Sequence, residues 1–101
     1  GINIVPAEVE EILYMEKEIL EAAVIGIADD VHGEEVIAAV ALKDSSEDTV
    51  AVKNRLYELL SRHLSSYKHP VDIIFLETLP KTLSGKLKRR EVRNKIKDVY
   101  N

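Results

Sequence analysis

The sequence predicts an α+β domain, a small sheet of about three strands packed by helices. Three observations carry this. Three short runs are largely apolar and of strand length, three other segments place apolar residues at helical spacing, and the two kinds follow one another as helix, strand, strand, helix, strand, helix. At 101 residues the chain fits a single domain, residues 1–101, with one modest core, since a chain of this size buries about 60–70% of its unfolded surface.

The first helix starts at Pro6, because proline is tolerated at the first helical position and the acidic residues that follow favour the positive end of the helix dipole. Val9, Ile12, Leu13 and Ile19 fall near helical spacing, so this helix is expected to run from about Pro6 to Lys17 or a little beyond. Ala22 to Ala28 and Glu35 to Leu42 read as two antiparallel strands around the polar, glycine-containing stretch Asp29 to Glu34. A second helix is expected to begin between Ser45 and Thr49, to bury Val52, Leu56, Leu59 and Leu60, and to end near Ser65 ahead of Pro70. Val71 to Leu76 is the third strand, Leu79 to Gly85 a loop, and Lys88 to Val99 a last helix with the narrow stripe Val92, Ile96 and Val99.

Composition excludes several classes. Apolar residues are 46% and charged residues 32% of the chain, as in a soluble globular domain, and no apolar run approaches the roughly 20 residues that span a bilayer. Cysteine is absent, which rules out disulfides, thiolate metal sites and cysteine nucleophiles and fits the expected cytoplasmic location. The chain opens on Gly1 with neither methionine nor a basic segment before an apolar one, so a fragment or excised domain is expected. Val5 stands where a myristoylation signal needs serine or threonine, so lipidation is not expected.

The net charge of −4 hides a division. Residues 81–97 carry eight Lys and Arg against Glu91 alone, a sum of +7, and the remainder sums to −11. Two readings fit: an anionic ligand or partner surface near the C-terminus, or a solvated helix face.

No glycine-rich phosphate loop, Gly-x-Ser-x-Gly elbow or His-Glu-x-x-His helix is present. His32, His63 and His69 are far apart, and no metal site is expected. Glu8, Glu10, Glu11, Glu16 and Glu18 are expected to spread around a helix, not to pair for acid–base work, and Tyr14, Tyr57, Tyr67 and Tyr100 to be half-buried packing residues. What remains is Leu79 to Arg89. Pro80 and Ser84-Gly85 make a mobile loop whose backbone can approach a ligand, and Lys86 directly after the glycine can carry a compact charge into a site on another body.

This segment resembles the C-terminal signature of the adenylate-forming superfamily (acyl-CoA synthetases, adenylation domains, luciferases), Pro-Lys-Thr-x-x-Gly-Lys-x-x-Arg, matched at Pro80, Lys81, Thr82, Gly85, Lys86 and Arg89. Gly1 to Glu10 is similar to the segment just after that family's interdomain hinge. Glu21 to Gly26, the stretch ending in Gly33-Glu34, and Tyr67-Lys68-His69-Pro70 also fall in family order. The family often has His-Pro after its first helix where this chain has Glu16-Lys17, which implies a longer helix, and Asn3 stands where some members carry arginine.

The resemblance implies the mobile C-terminal domain of an AMP-forming acid:coenzyme A ligase. Such enzymes convert a carboxylic acid and ATP to an acyl-adenylate, then pass the acyl group to a thiol, with coenzyme A the expected acceptor. The N-terminal domain of the same polypeptide would hold ATP, Mg2+ and the acid, so this domain alone is expected to be inactive. Lys86 would be the catalytic lysine, supported by Pro80, Lys81, Thr82, Ser84 and Gly85. It answers a physical need, because an anionic carboxylate attacking an anionic phosphate requires a preorganised cation. In a second pose the domain would present the face around Gly1 to the thiol channel. Arg89, Arg90 and Arg93 would meet the coenzyme's phosphates or the acidic surface of the N-terminal domain, the second being favoured. The competing class is a non-enzymatic module gripping nucleic acid through residues 81–97; with so few interleaved aromatics, no nucleic-acid partner is expected. A third reading, a regulatory domain that docks without catalysing, shares the fold.

Overall fold

The two apolar runs form β1 (Ile19–Asp29) and β2 (Gly33–Leu42), paired antiparallel from Ile19–Leu42 to Asp29–Gly33, in a computed structural model that describes residues 4–29, 31 and 33–100. Both strands exceed the expected bounds because Ile19 and Gly33 already belong to the ladder. The register shifts between Ile19 and Glu21, where Leu20 turns outward as the extra residue of a bulge.

A strand's pleat sends alternate side chains to opposite faces, and here both faces are covered. On one, Ala22, Val24, Val36, Ala38 and Val40 pack against Val9, Ile12 and Leu13 of α1 (Pro6–Leu13) and Val52, Leu56, Leu59 and Leu60 of α2 (Thr49–His63). On the other, Ala23, Ile25, Ile37 and Ala39 pack against Val92 and Ile96 of α3 (Arg89–Tyr100). Burial on both sides explains why the strands read as apolar runs and not as alternating sequence.

The third strand, β3 (Asp72–Phe75), lies beside β2 and parallel to it, giving the order β1-β2-β3. A parallel neighbour needs a crossover, and α2 supplies it. The ladder reaches the expected bounds, since Val71 N donates to Val36 O (2.8 Å) and Leu76 N to Val40 O (2.9 Å).

Two expectations are corrected. α1 ends at Leu13, not near Lys17: Met15 N and Glu16 N close tight turns onto Ile12 O and Leu13 O, and Ile19, counted at helical spacing, is instead a buried residue of β1. Glu16 and Glu18 therefore lie beyond the helix that carries Glu8, Glu10 and Glu11. In α3, Val92 and Ile96 are fully buried, but Val99 is 60% exposed, so the helix docks through its first turns alone.

α2 starts where a side chain can satisfy its first amides: Asp48 accepts from Val50 N (3.0 Å) and Ala51 N (3.3 Å). It ends at His63, two residues before the expected Ser65. Tyr57 is half-buried as expected and donates its hydroxyl to Pro70 O (2.9 Å), whereas Tyr67 is exposed. His69 Nε2 lies 3.1 Å from Leu64 O, and His32 falls outside the described residues. Among the described residues no helix is long and apolar enough to cross a membrane.

Candidate functional site

Residues 80–88, which overlap the loop expected over Leu79 to Gly85 and include Lys88, the expected first residue of the last helix, form a closed hairpin. Lys81 and Leu87 pair across it as an antiparallel bridge, and Lys88 N donates to Pro80 O (2.9 Å). Nearer the tip, Thr82 N donates to Lys86 O (2.8 Å) and Gly85 N to Thr82 O (2.9 Å). This leaves Leu83, Ser84 and Gly85 as a three-residue connection whose last residue has φ +91°. Glycine is the residue that adopts this conformation without a Cβ penalty, and hairpin loops of this length place a left-handed residue there.

Each remaining motif residue has a task that follows from this geometry. Thr82 Oγ1 accepts from Lys86 N (3.1 Å) and lies 3.0 Å from Ser84 Oγ, so the threonine hydroxyl fixes the lysine backbone. Pro80 leaves its carbonyl to close the base, and Leu79 and Leu87 tuck into the α3-side core on either flank. Lys81 is no second free lysine: its Nζ lies 2.7 Å from Glu21 Oε2, a carboxylate with only 11% of its side chain exposed. Lys88 pairs with Glu91 at 3.4 Å. Lys86 is exposed, and among the described residues its ammonium has neither an ion pair nor a hydrogen bond.

The arginines divide. Arg89, the first residue of α3, makes a two-pronged contact with Glu10, Nη1 to Oε2 at 2.9 Å and Nη2 to Oε1 at 3.0 Å. Those hydrogen bonds hold the guanidinium above its ordinary pKa, against the opposing effect of burial. Arg93 Nε donates to Gly26 O (3.1 Å) on the free edge of β1. Arg90 is exposed and unpaired among the described residues, and Gly1 lies outside them.

Sequence reasoning missed Glu10 and Glu21. Glu21 carried a signal, a single charge among Leu20, Ala22 and Ala23 in a buried strand. Glu10 carried almost none, being one of several acidic residues on α1. No three described His, Asp or Glu residues converge to hold a metal ion. The hairpin holds an exposed ammonium, uncommitted among the described residues, beside its turn.

Residues 8–86 match the AMP-binding enzyme C-terminal domain, and the chain belongs to that family. Among known proteins it is similar to acetyl-coenzyme A synthetase 2 of Candida albicans, with 40% identity over 95 residues, covering 92% of this chain and 14% of that protein. It is also 40% identical over 95 residues to the 2-succinylbenzoate–CoA ligase of Bacillus pumilus, covering 94% of this chain and 18% of that protein. Among solved structures, the acyl-CoA synthetase of Brucella canis superposes with a TM-score of 0.79 at 33% identity, over 95% of this chain and 18% of that one. The ATP-bound RpMatB-BxBclM chimera B1 gives a TM-score of 0.85 at 30% identity, over 100% and 20%. The chain thus spans less than a fifth of the length of these two curated relatives.

Proposed function

We propose that this domain is the lid of an AMP-forming acid:coenzyme A ligase and that Lys86 is its catalytic residue for acyl-adenylate formation. The observation that carries the reading is the state of Lys86. Its neighbours Lys81, Lys88 and Arg89 are each neutralised by a carboxylate of this domain, while Lys86 alone on the hairpin is left for a partner. A lysine suits the task as a compact charge on a long stem.

In the proposed step a carboxylate oxygen of the acid attacks the α-phosphorus of ATP, the bond to the β,γ-pyrophosphate breaks, and pyrophosphate leaves with its electron pair. Lys86 contacts the attacking carboxylate and the α-phosphate oxygens, where negative charge gathers. ATP, the acid and Mg2+ are assigned to the N-terminal domain of the same polypeptide, the metal supplying charge neutralisation at the phosphates. The domain then rotates, presenting the face around Gly1, and the thiol of coenzyme A attacks the acyl carbon and expels AMP. Arg89 and Arg93 are already engaged within the domain, so Arg90 is the arginine proposed to meet phosphate or the acidic surface of the N-terminal domain. The isolated domain is inactive on this reading, and the proposed location is the cytoplasm.

The test is acid-dependent ATP/pyrophosphate exchange in the full enzyme. Lys86→Ala is expected to lower it by a factor of about 10² or more, the cost of deleting a preorganised charge contact, about 3 kcal/mol. Normal exchange would remove Lys86 from the chemistry.

A further inference from the structure

The free edge of β1 is covered by side chains from both layers of helices. From α1, Tyr14 Oη accepts from Ala22 N (2.9 Å) and Glu10 Oε2 accepts from Val24 N (2.7 Å). From α3, Arg93 donates to Gly26 O. Over this edge Glu10 and Arg89 join the two layers, linking residues 79 apart in sequence by two parallel hydrogen bonds. Glu10 has only 12% of its side chain exposed and takes three donors in all, one of them the strand amide.

Arg89 stands against local preference. A cation in the first turn of a helix meets the positive end of the dipole, and Arg90 beside it adds a like charge. Such a residue needs a compensating partner, and a planar guanidinium is the side chain that fits a carboxylate in two-pronged fashion. Its position gives the contact a further consequence. Arg89 follows directly on Lys88, whose amide closes the hairpin and whose carbonyl accepts from Val92 N at the start of α3. Glu10 sits in α1, the first element after the N-terminal entry to the domain.

We infer that Glu10–Arg89 is a positioning pair: it fixes the lysine hairpin to the helix through which the domain is connected, and so sets where Lys86 arrives when the domain docks. The inference rests on the proposed role of Lys86. The hairpin's apolar attachments, Leu79 and Leu87, lie on the α3 side of the sheet. Glu10–Arg89 is the described ion pair that ties the end of the hairpin to the opposite layer. A mis-set hairpin would still leave the thioester step intact, because that step does not use Lys86.

In the full enzyme, Arg89→Met is expected to lower the turnover of acid-dependent ATP/pyrophosphate exchange by 10-fold or more. The KM for ATP should stay within about twofold, as should thioester formation from supplied acyl-adenylate. Arg89→Lys, which keeps the charge and loses the fork, should recover only part of the loss, and Arg89→Met should add little in a Lys86→Ala background. Glu10→Gln, which retains an acceptor for Val24 N, gives the same half-reaction split if Arg89→Met does not fold. Equal loss in both half-reactions, or unchanged exchange in both Arg89→Met and Glu10→Gln, would overturn the inference. If Lys86→Ala itself leaves exchange intact, the proposed role of Lys86 fails and this one with it. If Lys86→Ala abolishes exchange and the pair variants do not lower it, only the positioning role fails.

Discussion

The two faces of the sheet are covered to different extents, by two helices on one side and by one helix with the hairpin on the other. The α1/α2 face is a packed layer in which Leu13, Leu56, Leu60, Val40 and Val52 are at most 2% exposed. The α3 face is covered by Val92 and Ile96 of its helix, with Leu79 and Leu87 on either flank of the hairpin; ion pairs occur on both sides, Lys53–Asp72 and Arg55–Glu18 from α2 and Lys81–Glu21 from the hairpin, and Arg89–Glu10 bridges the two layers. The difference separates two jobs. Close packing makes the domain fold as one body; on the positioning role inferred above, the charged contacts at the hairpin set the angle at which Lys86 is held.

The sharpest way to break the packed face is Leu56→Ala. The residue is fully buried between α2 and the sheet, so the loss should be about 2–5 kcal/mol, read as a lower urea midpoint with an unchanged slope. On the other face, Lys81→Met removes the cation from nearly buried Glu21. The expected cost is about 1–2 kcal/mol, at the low end for a broken pair because the lysine is half exposed to solvent. The loss on Lys81→Met should shrink as salt is raised, and the loss on Leu56→Ala should not.

Smaller effects test the hairpin. Gly85→Ala meets open space but a φ of +91°, and should cost about 1 kcal/mol in melting experiments while lowering exchange in the full enzyme. At Gly26 an added Cβ would stand 2.5 Å from Cδ of Glu34. Because Glu34 is an exposed, flexible side chain that can swing aside, Gly26→Ala should be the milder of the two. The smallest effect is at Asp44, whose carboxylate is held below its usual pKa first by the Ser46 hydroxyl and then by the Ser46 amide. A depressed folded pKa stabilises above the unfolded value and is lost as pH falls through the folded one. Asp44→Asn should therefore flatten a slight acid-side decline in stability below about pH 4.

Much of this was legible in sequence, for physical reasons that can be named. β1 and β2 announced themselves because burial on both faces made them continuous apolar runs, and α2 because its stripe and cap are local. The end of α1 was misread because Ile19 sits at a spacing that a helix and a strand both allow. The direction of β3 was not legible, since its pairing with β2 depends on a crossover of some thirty residues and not on its own sequence. At the site, the motif placed Lys86, but the closed form of the hairpin rests on the Thr82 hydroxyl and the φ of Gly85. The partners of Lys81 and Arg89 were hidden for the same reason as the order of the strands: Glu21 and Glu10 meet them only in three dimensions.

On the proposed role of Lys86, the hairpin serves one half of a two-step reaction and is idle in the other. The most direct measurement compares both halves on one preparation of Lys86→Ala full enzyme. ATP/pyrophosphate exchange is expected to be lost while supplied acyl-adenylate is still converted to thioester at close to the wild-type rate. Exchange that persists, or a loss of exchange matched by an equal loss of thioester formation, would contradict the proposed role of Lys86.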